Sequence, residues 1–283
     1  GLDGDRRARV RTTPWFFRED GVHLEHGHLF DPDNATAHPL AHGARSLGVH
    51  FVEEFIAPTG AFRYLNANDK TPLWLLASAF RWYGVRGPHV VYKYFDTAFR
   101  AMAASGSAFE ARAKEERAVG AGRRAAYAEE HGVTTDILDA LDEARAVPTL
   151  ASPLATFQRL YLDRVGATVA MMSGLFALSA GRRRAGLTLL SAGALAMGAS
   201  WAAGFDRYGG SVPEMLARGA QKVGEATGAK LVVMGHAHRE ALSESYANTG
   251  SFSFPRGAPG RPYLEIGVAG NRPRAVRRYL RPS

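Results

Sequence analysis

Two long segments without a charged residue constrain the fold of this chain more than any other feature. They cover residues 165–181 and 185–205, and only the three consecutive arginines at 182–184 separate them. A membrane-spanning helix needs about 20 apolar residues, with about 17 as a lower limit, so the second segment is long enough and the first is at the limit. The pattern predicts an apolar helical hairpin over 165–205 that inserts into a membrane.

Two alternatives stay open for this hairpin. Its many glycines and alanines reduce its hydrophobicity, which allows a buried hairpin in a soluble core, and a shallow hairpin in the membrane interface is the other possibility. Small residues four apart, at Ala192, Ala196 and Ser200, predict close helix packing in lipid. Arginines before, between and after the segments leave the membrane orientation open, with the cytoplasm favoured for the parts of the chain outside the hairpin.

The remaining pattern predicts an α/β chain. Residues 44–145 and 211–227 have helical character, whereas an apolar run at 230–234 predicts a strand buried on both faces. The order of strand, long helical stretch and strands again predicts one α/β layer that a helical cap interrupts. A short strand that enters a loop at His26 is predicted within 21–27, and further strands are predicted at 245–252, 262–268 and 275–279.

Composition limits the chemistry. The 283-residue chain has no cysteine, so any metal ion must be held by nitrogen and oxygen ligands. The net charge of +8 favours phosphate-bearing partners or an anionic membrane surface. No zinc-finger spacing or aromatic RNA-binding signature is present, and we therefore expect no nucleic-acid partner.

Two pairs of histidines stand at the ends of predicted strands. His26 and His28 follow the first strand, and His236 and His238 follow the strand at 230–234. Loops at strand ends are where rigid scaffolds display functional groups, and neutral imidazole is a ligand for Mn, Fe and Zn. The other six histidines have no companion at ligand spacing and are interpreted as structural.

These motifs resemble the calcineurin-like metallophosphoesterase family. Gly235-His236-Ala237-His238 is similar to its G-H-x-H block, and Glu25-His26-Gly27-His28 is similar to the histidine block that precedes it. The sequence Asn248-Thr249-Gly250-Ser251 is similar to the strand and turn that follow G-H-x-H in that family. The similarity is greatest to UDP-diacylglucosamine pyrophosphatase-like, membrane-linked members, and it covers residues 10–34 and 229–270.

The resemblance implies a fold, a site and a reaction. It implies a β-sandwich flanked by helices, with 1–43 and 229–283 as parts of the phosphoesterase domain and 44–228 as a helical cap insertion that contains the hairpin. It implies two divalent metals, manganese first with iron or zinc as alternatives, which activate a hydroxide that hydrolyses a phosphate ester or diphosphate. The substrate would be a phosphorylated small molecule or lipid.

Each site residue takes its expected role from the same resemblance. His26 and His236 would ligate one metal and His238 the other, while His28 and Arg239 would contact the substrate; no catalytic residue can be assigned. The D-x-H, G-D-x-x-D and G-N-H-D/E blocks of the family are missing, so we expect either a longer natural protein or a degenerate relative. The chain alone is predicted to bind Mn weakly and to hydrolyse little, and a non-catalytic membrane-anchored scaffold stays open as the alternative.

Overall fold

The structure is a computed structural model that describes residues 12–62, 72–204, 211–252, 260–269 and 272–280. The chain forms two compact units. The sheet unit comprises Gly1–Arg45, Ala111–Pro148 and Ser211–Ser283, and the helical unit comprises Ser46–Glu110 and Thr149–Gly210.

The described residues contain seven strands and ten α-helical segments. The strands are β1 (Phe16–Glu19), β2 (Val22–Glu25), β3 (Leu231–Met234), β4 (Glu240–Leu242), β5 (Tyr246–Thr249), β6 (Arg261–Ala269) and β7 (Arg272–Leu280). The helices are α1 (Leu47–Phe51), α2 (Ala57–Thr59), α3 (Pro72–Tyr83), α4 (Gly87–Ala103), α5 (Ser107–Glu130), α6 (Thr135–Ala144), α7 (Pro153–Arg159), α8 (Leu162–Ser179), α9 (Arg183–Ala202) and α10 (Ser211–Thr227). Val52–Ile56 forms a π-helical turn, and His28–Phe30, Gly84–Arg86 and Thr149–Ala151 form 3₁₀ turns.

A five-stranded mixed sheet is the centre of the sheet unit. Its strand order is β1-β2-β3-β5-β4, with β3 parallel to both β2 and β5 and with antiparallel strands at the two edges. β3 reads Leu-Val-Val-Met, and all four of its residues are buried. A continuous apolar run of this kind is typical of a central parallel strand that is covered on both faces.

Different layers cover the two faces of β3. Val232 and Met234 belong to a core with residues of α5, α6 and α10, whereas Leu231 and Val233 pack on the other face. There the antiparallel ribbon β6-β7 contributes Leu264 and Ala275. The alternation of side chains along a strand therefore places helices on one face of the sheet and the ribbon on the other.

The predicted insertion at 44–228 is divided between the two units. Its segments 111–148 and 211–228 are in the sheet unit, because Tyr127, Leu138 and Leu216 provide apolar surface for the core over the sheet. The predicted α/β class is confirmed at the level of a mixed α/β chain, and the calcineurin-like sandwich stays a prediction.

In the helical unit, α8 and α9 form the predicted apolar hairpin. Glycines make the contact between them: a Cβ at Gly174 would meet the carbonyl oxygen of Gly186 at 2.8 Å, and a Cβ at Gly193 would meet that of Ala167 at 2.8 Å. Of the three small residues predicted to pack closely, Ser200 is buried between the two helices, whereas Ala192 and Ala196 are exposed. The close packing of α9 uses small residues seven apart, namely Gly186, Gly193 and Ser200. A spacing of seven keeps residues on one side of a helix over two turns.

The base of the hairpin holds a buried arginine. Arg164 donates from Nε to the Ser200 hydroxyl at 2.9 Å and from its guanidinium to the carbonyl of Gly204, and it lies 4.7 Å from the centre of the Tyr161 ring. These contacts tie the start of α8 to the end of α9, since a buried guanidinium is stable only where its N–H groups have acceptors.

Outside this seam the hairpin presents apolar side chains at its surface. Phe176 and Leu195 are about three-quarters exposed, at 76% and 75%, and Val169, Met172 and Leu187 are more than half exposed. In the described part of the chain, α9 is the one helix that is long and apolar enough to cross a membrane, with a mean hydropathy of 1.3 and 17% of its apolar window buried.

Candidate functional site

The two histidine pairs lie at neighbouring strand ends of the sheet unit. His26 follows β2 and His236 comes two residues after the end of β3, and the two strands are parallel neighbours. Their carboxyl ends therefore meet at the same edge of the sheet, which is the edge where open α/β sheets bind ligands. The backbone N–H of Gly235 donates to the carbonyl of His26 at 3.2 Å and joins the two loops.

Gly27 allows the first loop to approach β3 closely. Its φ is +89°, and a Cβ at this position would lie 3.2 Å from Cβ of Met234 and 3.3 Å from its sulfur. Only a residue without a side chain combines that backbone conformation with so short an approach. The glycine between the two histidines thus lets both imidazoles stand beside the end of β3.

Three imidazoles meet at this edge. The ring centres of His26 and His236 are 5.1 Å apart, and those of His26 and His28 are 5.2 Å apart. The charge of His238 also acts on His26 and lowers its pKa. Arg239 follows at an exposed position of the same loop. The structure therefore brings together His26, His28 and His236, with His238 close enough to interact electrostatically with His26.

The loop after β3, which carries His236 and His238, has an uncommon backbone conformation. His236 has φ +59° and His238 has φ +52°, in the left-handed region that residues with a side chain rarely adopt. Such conformations cost free energy, and they persist where the surrounding structure enforces them, often at functional sites. The alternation of left-handed residues turns the chain sharply just after β3.

Asn248 fixes the start of this turn from the neighbouring strand. Its buried side chain donates from Nδ2 to the carbonyl of Gly235 and to the hydroxyl of Tyr246, while its Oδ1 accepts from the N–H of Gly250 at 3.0 Å. The Asn-Thr-Gly-Ser stretch thus has a structural role here, because it joins the end of β5 to the histidine loop.

Asp31 is a further member of the cluster, although its turn sequence predicts only that it caps its own loop. Its Oδ2 lies 2.9 Å from Nε2 of His236 and accepts from Nδ2 of Asn34 at 2.7 Å, while its Oδ1 accepts from the N–H of Asp33 at 3.0 Å. Burial raises the pKa of Asp31, but the hydrogen bonds from His236 and Asn34 outweigh burial and the pKa is lowered. An ionised carboxylate therefore orients His236, which lies 205 positions away.

The environment keeps two of the imidazoles neutral. Burial, together with the charges of His236 and His238, lowers the pKa of His26 to about 4. The pKa of His28 is likewise about 4, because burial and the charges of His26, His236 and Arg145 lower it more than the charge of Asp31 raises it. A neutral imidazole has a lone pair on one nitrogen and an N–H on the other.

The side chains do not stand in the arrangement of a complete metal site. Among the residues that the structure describes, no group of three or more His, Cys, Asp or Glu side chains is placed to hold a metal ion. His236 directs Nε2 to Asp31, so only its Nδ1 is left for a further contact on that ring. The chemistry of the cluster, several nitrogen donors and one carboxylate, nevertheless suits a divalent transition metal.

No protein-family profile, characterised protein or solved structure matches this chain. The geometry is therefore the basis for any functional conclusion. It defines a polar cluster of imidazoles with one oriented carboxylate, at the carboxyl edge of a mixed sheet.

Proposed function

We propose that the sheet unit carries the metal site of a calcineurin-like phosphoesterase or pyrophosphatase, with His26, His236 and His238 as metal ligands. The observation that supports this proposal best is the approach of His26 and His236, whose ring centres are 5.1 Å apart although the residues come from opposite ends of the chain. Both follow parallel strands, and such convergence at a sheet edge is typical of ligand sites.

The separation of the rings agrees with shared coordination. An imidazole nitrogen binds a transition metal at about 2.1 Å, so two rings at neighbouring positions on one ion have centres about 5 Å apart. The orienting contact from Asp31 to His236 adds to this argument, because metal-binding histidines commonly give their second nitrogen to a carboxylate. Manganese is the expected metal, with iron or zinc as the alternatives.

The chain's own residues would bind and orient the phosphate. When bound, a divalent metal supplies charge stabilisation and an activated hydroxide for attack on phosphorus. His28 is neutral and has an N–H that can donate to a phosphate oxygen, and Arg239 can form a charge-assisted hydrogen bond with another. The substrate class is a phosphate ester or a diphosphate, free or linked to a lipid.

Metal titration of the chain tests this proposal. We expect added Mn²⁺ to broaden the imidazole NMR signals of His26, His236 and His238, because a paramagnetic ion broadens the signals of nuclei next to it. His236→Ala should lower the Mn²⁺ affinity by at least about tenfold. Hydrolysis of a phosphodiester dye by the same samples provides a second measurement, which is expected to be low for this chain.

His89→Ala is the matched control, because His89 is exposed on α4 in the helical unit. It should leave both the metal affinity and the pattern of broadening unchanged. Equal broadening at His89 and at the cluster, or an unchanged affinity in His236→Ala, would exclude the metal site.

A non-catalytic scaffold is the second candidate function. The observation in its favour is that the described side chains do not form a group placed to hold a metal ion. The metal titration distinguishes the two candidates: site-specific Mn²⁺ binding supports the enzyme, and no binding by the histidine cluster supports the scaffold.

We further propose that the hairpin of α8 and α9 attaches the protein to a bilayer. The support is the exposed apolar surface of both helices, together with the length and composition of α9. A soluble protein rarely exposes large contiguous apolar patches, and a lipid surface covers such a patch. A phosphoesterase attached to the membrane would be close to lipid-linked phosphates, because these lie at the membrane surface.

A further inference from the structure

The antiparallel ribbon of β6 and β7 is attached to the sheet unit through its inner face. On that face Leu264 and Ala275 pack against the core of the five-stranded sheet. Polar contacts add to the attachment: Arg277 lies 3.2 Å from the carboxylate of Glu240, and the hydroxyl of Tyr279 donates to the same carboxylate at 2.7 Å. Because side chains alternate along a strand, the neighbouring residues of both strands form a separate outer face.

The outer face of the ribbon is basic. It carries four arginines, and all four are exposed: Arg261, Arg272, Arg274 and Arg278. Among the described residues of this face Glu265 is the one carboxylate, and it accepts from Nε of Arg278 at 2.8 Å. The other three arginines therefore have no acidic neighbour on the face and leave it with a positive charge.

Apolar side chains lie among these arginines. Val276 and Leu280 belong to the same face of β7, and each is about half exposed. Phe252 is also about half exposed, and its ring centre lies 5.4 Å from the guanidinium of Arg261. Arginines mixed with exposed apolar side chains are typical of a surface that binds the interface of a membrane, where apolar groups leave water and guanidinium groups meet phosphate.

A nucleic acid is the other polyanion that such a ribbon could fit, since the major groove of DNA admits a two-stranded ribbon. The apolar side chains favour lipid. Val276, Leu280 and Phe252 gain little from the phosphates of a duplex, whereas a lipid surface removes them from water. Lipid binding also agrees with the proposed attachment of the hairpin to a bilayer, although it does not depend on that attachment.

We propose that the outer face of the β6-β7 ribbon binds the anionic phospholipids of a membrane surface, with Arg261, Arg272 and Arg274 at lipid phosphates. Each strand has nine residues, so the ribbon is about 30 Å long and meets several headgroups at once. Each arginine close to an anionic surface contributes about fivefold to the binding constant. Unlike an apolar contact, this one weakens when anionic lipid is removed or salt is added.

A single fluorescent label tests the proposal, because the chain has no cysteine and an introduced one is its only thiol. Val276→Cys places an environment-sensitive fluorophore on the outer face of the ribbon in the full chain. In bilayer nanodiscs of phosphatidylcholine and phosphatidylglycerol we expect blue-shifted emission and a loss of quenching by acrylamide, a neutral quencher dissolved in water. In nanodiscs of phosphatidylcholine alone both effects should be absent.

Val119→Cys is the matched control for the position of the label. Val119 is a valine of α5 in the same unit, and it is 47% exposed compared with 44% for Val276. Its label should show the same emission and the same quenching in both lipid compositions.

Arginine variants of the chain labelled at position 276 test the cause of the response. Arg272→Gln combined with Arg274→Gln should lower the ratio of bound to free ribbon by about 25-fold, and the response to phosphatidylglycerol should be lost. Arg218→Gln combined with Lys222→Gln removes the same charge from exposed positions of α10 and should leave the response unchanged.

Three results would overturn the proposal. They are no response of the label at position 276 to phosphatidylglycerol, a response that persists in the variant of Arg272 and Arg274, and an equal response of the label at position 119. A response to a DNA duplex without one to phosphatidylglycerol would assign the ribbon to nucleic acid instead. The label reports on the ribbon itself, so the result does not depend on the proposed roles of the hairpin and of the histidine cluster.

Discussion

At the residue scale, the left-handed backbone of His238 has a measurable consequence. Its φ of +52° is costly for a residue with a Cβ and is freely available to glycine. We therefore expect His238→Gly to be more stable to urea than His238→Ala, by about 1 kcal/mol, since both variants lose the imidazole and differ only in the Cβ.

The control pair for this prediction is His89→Gly and His89→Ala on α4. His89 is exposed in the first turn of α4, where alanine is still favoured over glycine, so the order of stability should reverse. The same order at both positions would show that His238 does not have the left-handed conformation in solution.

The contact of Asp31 with His236 could not be predicted from the sequence. The Asp-Pro-Asp-Asn stretch predicts a turn, and Asp31 does accept from the backbone of Asp33 in its own loop. Its contact with His236 joins residues 205 positions apart, and no local pattern reports such a pair. The two histidine pairs could be predicted because each follows a strand, and the end of a strand is a local signal.

At the element scale, the elements with strong periodicity were predictable and the short edge strands were not. The prediction of a strand at 230–234 is confirmed by β3, and that of a helix at 211–227 by α10. β1 and β4 were missed, because strands of four and three residues at the edges of a sheet carry little apolar pattern.

Also at the element scale, the surface of the hairpin predicts membrane binding. The intact chain should float with vesicles of phosphatidylcholine and phosphatidylglycerol in a density gradient. Phe176→Ser combined with Leu195→Ser should reduce the floating fraction by at least about tenfold, because burial of these two exposed side chains provides about 3–6 kcal/mol of apolar transfer free energy.

Val85→Ser is the control for flotation, since Val85 is 99% exposed and lies outside the hairpin. It should float as the unaltered chain does. If the double variant also floats fully, the apolar surface of α8 and α9 is not the lipid contact, and an interface with protein becomes the better explanation of its exposure.

At the scale of the whole molecule, the buried core of the sheet unit and the histidine cluster consist of separate residues. β3 and the side chains packed on its two faces form the core, whereas the imidazoles lie beyond the last buried residue of the strand. The apolar run determines where the strand ends, and the loops that follow are free to display ligands. The proximity of the two histidine pairs could be predicted because both follow strands, whereas the assignment of α5, α6 and α10 to the sheet unit could not, because amphipathic helices do not reveal which core they cover.

The whole molecule should lose stability as the pH falls from about 6.5 to about 4. The pKa of His26 and of His28 is about 4 in the folded chain, below the ordinary value of 6.5 that applies when the chain is unfolded. Between these values the unfolded chain binds protons that the folded chain does not, so protonation favours unfolding; above 6.5 both states are neutral and this contribution is constant. Urea unfolding with a chelator present, at a series of pH values, measures the effect. The double variant His26→Gln and His28→Gln should show a distinctly shallower decline over the same interval, whereas an equally steep decline would mean that other groups cause the acid sensitivity.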